Sequence, residues 1–491
     1  MRGKLYALWD RLRSSYWFIP TLMTLLALGL SLGFVALDDA IGQDWARGID
    51  FLHANKPEGA RALLQTVAGS MIGVAGVTFS ITIASVVYAS GQYGPRLLTN
   101  FMRDTGNQIT LGTFIATFIY CVMVLRAVHA AEEGSANAVA AVASAASEQG
   151  DLAGGTFVPH VAILAAVLLA LASIAVLIYF IHHIPQSIHV SNVVAGIGRE
   201  LERRVERVFP ERIGQGSDAD GAADADPDAD DGHGADVAMP DDFYTQARPV
   251  RSDVTGYLQG IDGDSLIDAA KARSVVLRLR FRPGDFVRAG DTLALAHPGE
   301  KVDDDLTEDV RYAFNWGTQR TALQDLRFLV NELVEIAARA LSPGVNDPFT
   351  AMSCLDWLGA AVARLGGRGT PDSFRRDDEG AIRVIARPTR FEEFVEAAFG
   401  QLRPYVAADR NALFHELETL AAIAPHLQEE RQRQAIRDEA DALIGAARQN
   451  ELGAADLEEA GHRYDVLMKL LGGELSFEET AAESSWLGGS A

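Results

Sequence analysis

Four long apolar stretches, all within the first 190 residues, constrain this chain more than any other feature: residues 15–37, 63–89, 109–128 and 159–181. Each is close to or above the ~20 residues that a helix needs to cross ~30 Å of hydrocarbon. The first and fourth are almost free of charge. The third holds Thr113, Thr117 and Tyr120 but no charge before Arg126. Buried helices of a soluble bundle are the competing reading, and uncharged runs of this length argue against it. The first stretch follows Arg2, Lys4, Arg11 and Arg13, as in a signal peptide. Its apolar run exceeds the ~7–15 residues of such a peptide. No small-x-small cleavage site follows it; Leu37-Asp38-Asp39 does. The expectation is an uncleaved anchor and a four-helix transmembrane domain over 15–190, behind a basic cytoplasmic segment 1–14.

Lys and Arg in the short loops set the orientation. The segment between spans one and two is acidic, with Asp38, Asp39, Asp44, Asp50 and Glu58 against Arg47, Lys56 and Arg61. Arg96 and Arg103 lie between spans two and three. The Ala-rich loop that follows has only Arg126, at its edge. After span four come Arg199, Arg203, Arg204, Arg207 and Arg212, which read as a basic juxtamembrane helix over 191–212. The alternation predicts cytoplasmic N and C termini in a bacterial inner membrane.

The net charge of −23 and pI near 4.9 argue against nucleic acid as a partner, since that needs a basic footprint. The charge is uneven: ten Asp lie between Asp218 and Asp242 with no Lys or Arg among them. Such a composition cannot bury enough apolar surface to offset its ordering entropy, so 213–246 reads as a disordered linker. It lacks the D-x-[DN]-x-[DN]-G loop of a calcium site. Cys121 and Cys354 fall in different compartments of this scheme, and no disulfide is expected.

Beyond the linker, 247–300 reads as β. Leu277, Leu279 and Phe281 alternate with Arg278, Arg280 and Arg282, the period of a half-buried strand. Arg282-Pro283-Gly284-Asp285 and Gly290-Asp291 read as turns. Gly256 and Gly260-Ile261-Asp262-Gly263 read as punctuation of an earlier hairpin. The pattern GYLQGID…RPGDFVRAGDTLA resembles barrel-sandwich domains of biotinyl and lipoyl carriers and membrane-fusion adaptors. No modifiable Lys stands at a hairpin tip; Lys271 lies in a helical-looking run. The resemblance implies shape without carrier chemistry. Residues 301–475 read as mainly helical. Leu323, Leu326, Val330, Leu333, Ala337 and Leu341 form one apolar helix face, ended by Ser342-Pro343-Gly344. Asp347-Pro348 restarts the chain as N-cap and first helical residue. A short strand over 381–387 and helices over 391–400, 411–423, 428–449 and 455–471 follow, with a frayed end over 476–491. The fold class is therefore an α-helical membrane domain plus an α+β tail, the tail combining a small barrel-sandwich-like β segment with a helical bundle.

Motif chemistry is sparse. No P-loop and no G-x-G-x-x-G after a strand is present, so no cofactor is assigned. His415-Glu416 begins a zinc-protease spacing, but Thr419 stands where the second His belongs. His182, His183 and His189 surround Pro185 and read as helix-end histidines rather than metal ligands. No catalytic set is assigned. In span two Gly69, Gly73, Gly76 and Ser80 share one helical face, a stripe that permits close backbone approach to another helix. Thr78, Thr82 and Ser85 lie nearly opposite and are the candidate lining of a water path, or else hydroxyls bonded to their own helix.

The segment TFSITIASVVYASGQYGPRLLTNFMRDTGNQITLGTF and, far downstream, LVEIAARALSPGVNDPFTA together resemble the bacterial predicted-membrane-protein family known as domain of unknown function 2254. The resemblance runs from about residue 15 to about residue 471. It implies an inner-membrane protein with a cytoplasmic tail, and it marks Gln92, Pro95 and Arg96 in the first motif and Ser342, Pro343, Asn346, Asp347 and Thr350 in the second. Capping and a tight turn alone would account for Pro343, Gly344 and Asp347.

Two functions follow as alternatives. One is a homo-oligomeric channel or pore-like transporter with span two at its axis. The other is a membrane-anchored scaffold or sensor whose tail binds a soluble partner or ligand. A membrane-embedded enzyme ranks third, because no polar constellation sits at membrane depth. The bilayer is the one partner the sequence names.

Overall fold

The computed structural model describes residues 15–41, 57–94, 104–128, 158–209 and 242–476. Two compact units divide the chain, Met1–His189 and Val190–Ala491.

The first unit contributes four helices among the described residues: α1 (Phe18–Ile41), α2 (Pro57–Tyr93), α3 (Thr105–Ala127) and α4 (His160–Ile188). All four are long and apolar enough to cross a membrane. They run past the apolar stretches that announce them. The 37 residues of α2 span about 55 Å, well beyond the hydrocarbon thickness. The centre of the bundle is α3, which packs on the other three helices and is the most buried of the four. Glycine makes that packing close: a Cβ at Gly112 would stand 2.6 Å from Met23 Sδ and 3.2 Å from Pro20 Cα of α1. Two polar groups in the middle of α3 find partners inside. Tyr120 donates to the Ala162 carbonyl at 3.0 Å, and the Thr117 and Ser173 hydroxyls meet at 3.1 Å. Asp38, at the end of α1, accepts from the Val161 and Ala162 amides, each at 2.9 Å, and so caps the start of α4. Pro185 does not end α4, which continues to Ile188.

The second unit opens with α5 (Val190–Val208), separated from α4 by one residue, His189, in extended conformation. After the undescribed stretch, Phe243 is buried in a single helical turn and stacks on His297 at 5.3 Å. The described structure thus resumes at residue 242, ahead of the boundary expected at 247. Eight strands and further helices follow: β1 (Arg248–Arg251), β2 (Gly256–Ile261), α6 (Gly263–Arg273), β3 (Val276–Leu279), β4 (Phe286–Val287), β5 (Thr292–His297), α7 (Asp304–Ala313), β6 (Phe314–Gly317), α8 (Leu326–Ala340), α9 (Pro348–Gly366), β7 (Phe374–Arg376) and β8 (Ile382–Ile385). A last set of helices comprises α10 (Phe391–Val395), α11 (Arg403–Val406), α12 (Arg410–Ile423), α13 (Glu430–Ala447) and α14 (Ala454–Gly472).

The strands form a five-stranded sheet, β1-β5-β3-β8-β7, and a three-stranded one, β4-β2-β6. All pairings are antiparallel except β3 with β8. The sheets do not close into a barrel, and three of their strands lie beyond residue 300, so the barrel-sandwich likeness ends at the hairpin pattern. The hairpin expected over 256–263 is also replaced. Gly260 and Ile261 stay in β2, and Asp262 turns the chain into α6 by accepting from the Ser265 amide. The period of two is met where it counts: Leu277 is buried in the core with Leu258, Leu293, Val310 and Val384. In α8 the apolar face is Leu326, Val330, Leu333 and Ala337; Leu323 precedes the helix. Asp347 caps α9 as expected, accepting from the Thr350 amide at 3.2 Å and its hydroxyl at 2.6 Å.

Candidate functional site

The RPGD turn between β3 and β4 builds one wall of a cleft of about 480 Å3, a size suited to a small ligand. Asp285 closes the turn by accepting from the Arg282 amide at 2.8 Å. Gly284 has φ +95°, and a Cβ there would run into the Asp325 carboxylate. Only glycine fits on both counts. Asp325 is nearly fully buried at the start of α8. It accepts from Arg320 at 2.6 and 3.0 Å and from Arg327 at 3.4 Å. Arg327 also donates to Asp285 at 2.8 Å and to the Pro283 carbonyl at 3.1 Å. Behind this, Arg282 meets Glu393 at 2.7 Å, and Arg387 pairs with the same carboxylate. Burial alone would raise the Glu393 pKa; the hydrogen bond from Arg282 and the charges of Arg282 and Arg387 outweigh it and hold the carboxyl below its usual value.

The lining of the cleft is Arg280, Phe281, Gly284, Asp285, Phe286, Arg320 and Arg327. Phe286 is half exposed and sits edge-on against Tyr257 at 5.1 Å. The Arg320 and Arg327 guanidiniums are fixed by Asp325 and Asp285, and each keeps further N–H donors. The Arg280 side chain is exposed and has no partner among the described residues. Three positive groups beside two phenyl rings can hold an anion that carries an apolar or flat portion.

None of these arginines was singled out from sequence. Arg280 was read only as the solvent side of an alternating strand, and Arg320, Asp325 and Arg327 come from a segment some forty residues away. The RPGD turn was the one legible part.

The positions that were singled out fall elsewhere. A Cβ built on Gly69, Gly73 or Gly76 meets nothing within 4 Å, and Ser80 is exposed and donates to the Gly76 carbonyl at 2.9 Å. Thr78 and Thr82 are the buried side of α2, with Thr82 donating to the Thr78 carbonyl at 2.9 Å, and Ser85 is half-buried. Within the single chain the two faces of span two are therefore exchanged: hydroxyls pack inward and glycines face out. The reason is that Gly106 and Gly112 of α3, not the stripe on α2, carry the close approaches in this bundle. Pro95 and Arg96 lie outside the described residues, as does the side chain of Gln92. Ser342, Pro343, Asn346, Asp347 and Thr350 come together in one tight loop. Its Ser342 carbonyl accepts from the Val345 and Asn346 amides at 3.0 and 2.9 Å, and Asn346 has φ +50°. The three histidines separate: His182 meets Gln186 at 3.1 Å, His183 meets Asp104 at 2.7 Å, and His189 ends α4.

A second polar cluster lies in the helical part. Arg403 donates to Glu439 at 2.6 and 2.9 Å, and Glu439 is almost wholly buried. Glu416 is completely buried, and its carboxyl oxygens have no hydrogen-bond partner among the described residues. Burial pushes the Glu416 pKa well above the ordinary carboxylate value, and Glu439 adds to this more than Arg403 relieves it.

The chain is similar to an uncharacterized protein of Mycobacterium bovis, 29% identical over 462 residues, covering 93% of this chain and 80% of that protein. An uncharacterized protein of Mycobacterium tuberculosis strain CDC 1551 is 30% identical over 463 residues, with the same coverage. No solved structure matches. The family model described as Predicted membrane protein (DUF2254) matches residues 13–422, which takes in all four apolar helices, the cleft and the Ser342–Thr350 loop. With four spans in the first unit and an α/β second unit, the chain is a multi-pass membrane protein belonging to this family.

Proposed function

We propose that this protein is a membrane-anchored binding protein whose soluble unit lies in the cytoplasm and takes a small anionic ligand. The observation that carries the reading is the cleft, where Arg280, Arg320 and Arg327 converge beside Phe281 and Phe286. Guanidinium forks match carboxylate and phosphate oxygens, and phenyl rings favour a ligand with an apolar or flat part. Cytoplasmic placement rests on the positive loops that flank spans two to four. The test is calorimetric titration of the full chain in nanodiscs with pyrophosphate, adenosine monophosphate and citrate. One of these is expected to bind, and Arg280→Ala should weaken it at least about tenfold, the value of a charge-assisted hydrogen bond. Failure of all three to bind, or equal binding by the variant, would sink the reading.

The open face of α2 favours a second reading, assembly of several copies. Gly69, Gly73 and Gly76 leave room for another backbone, and helix association in lipid relies on such close packing. Thr78 and Thr82, turned into the chain's own bundle, weigh against a hydroxyl-lined pore at the axis of such an assembly. Native mass spectrometry from nanodiscs should find a discrete oligomer that Gly73→Leu reduces to monomers. A monomeric unaltered chain would end this reading.

A further inference from the structure

We infer that the Ser342–Thr350 loop is a membrane-docking tip, which sets Val345 and Phe349 into the headgroup–acyl boundary of the bilayer. These are the exposed apolar side chains of the loop: Phe349 is 71% exposed and Val345 46%, and Pro343 and Gly344 are exposed beside them. The loop is not slack. The Asp347 amide donates to the Ala340 carbonyl at 2.8 Å, and the Ser342 hydroxyl to the Arg339 carbonyl at 2.6 Å. With the Asp347–Thr350 cap, these bonds hold the two apolar side chains outward in fixed directions.

What turns an exposed apolar tip toward lipid is the register of α5. This helix begins one residue after the fourth span, so chain connectivity alone keeps Val190 at the membrane surface. Its far end meets the far end of α9. Glu206 pairs with Arg364 at 2.8 Å, and Arg368 donates to the Glu206 and Phe209 carbonyls at 3.1 and 2.7 Å. Two turns back, Gly198 packs against Trp357. The two helices run parallel and in step, so two further turns back bring Val190 level with Phe349. The same reading holds for α8, whose beginning is bound to the end of α5 through the bonds from Arg204 to the Ala322 and Leu323 carbonyls. The 341–350 loop therefore lies at the membrane end of the soluble unit. The arginine-lined cleft lies at the other end of α8, about 20 Å away along that helix. Aromatic and aliphatic side chains on a rigid, solvent-exposed tip at that level fit the interfacial layer of a bilayer.

The full chain in phosphatidylcholine–phosphatidylglycerol vesicles tests this. Gly344→Cys takes an environment-sensitive fluorophore; the native Cys121 and Cys354 are buried, and a side chain at 344 meets nothing within 4 Å. Arg288→Cys, two residues beyond the cleft wall at Phe286, is the comparator. The Gly344 probe should emit to the blue of the Arg288 probe and be quenched by nitroxide-labelled lipid. Adding Phe349→Ser should abolish both effects without changing the melting temperature, because Phe349 is already largely exposed. Emission equal to that of the comparator would overturn the proposal. So would a blue shift without lipid quenching, which would mean that protein rather than lipid covers the tip.

Discussion

Replacing Arg403 by Met is expected to cost the second unit about 3 kcal/mol at neutral pH, because it leaves Glu439 buried without its counter-ion. Arg403 itself is a quarter exposed, which places the loss at the lower end for a broken buried pair. In a thermal melt of the full chain this corresponds to about 5 °C. The pH dependence distinguishes this cause from lost packing. Burial already holds the Glu439 pKa above the ordinary value, although the Arg403 hydrogen bond and charge oppose it. Removing Arg403 raises it further, and Glu416 loses the same relief. A carboxyl whose folded pKa lies above its unfolded value of about 4.3 favours the fold fully below that pH, and this support is lost as pH rises through the folded value. The deficit of the variant should therefore be small near pH 4 and grow toward pH 8. A deficit constant across that window would show that the carboxyls do not carry it.

Gly198→Leu is the second large effect. A Cβ at this position already runs into the Trp357 indole, and the rest of a leucine has nowhere to go without parting α5 from α9. Overpacking of this kind costs about 3 kcal/mol. Hydrogen exchange should then show faster exchange over 190–208 while the β sheets stay protected. Gly196, two residues earlier, supplies the control. A Cβ there meets nothing, and Gly196→Leu should be neutral or slightly stabilising through helix propensity. Equal exchange in both variants would remove the tight α5–α9 contact.

Long uncharged runs and helix caps are local signals. Both were read directly, from the four spans to Asp347-Pro348 at the start of α9. Patterns of small residues are also local, but they state only that close approach is allowed. Which glycine is used depends on the partner helix, and the partner was invisible: Gly112 met Pro20 and Met23 while Gly73 met nothing. The cleft was illegible for the same reason. Its guanidiniums come from just after β3, from the segment before α8 and from the first turn of α8, and they converge where Asp325 is buried against Gly284. No spacing along the chain encodes that meeting. Phe349 and Val345 were passed over within a motif that was itself singled out, because capping accounted for its polar residues and the apolar ones looked incidental.

The parallel pairing of β3 with β8 has a consequence for how the protein is made. Leu277 pairs with Val384, and everything between them must be synthesised before that bond row can form. During translation the β1-β5-β3 part of the sheet therefore stands with one side of β3 uncovered until the chain past Ile385 has emerged. An open strand edge of that kind invites pairing with neighbouring chains. A nascent or truncated product ending before Ile382 would retain this sticky edge while already tethered to the membrane by its four spans, so premature termination would leave clustered aggregates at the bilayer surface rather than a smaller working fragment.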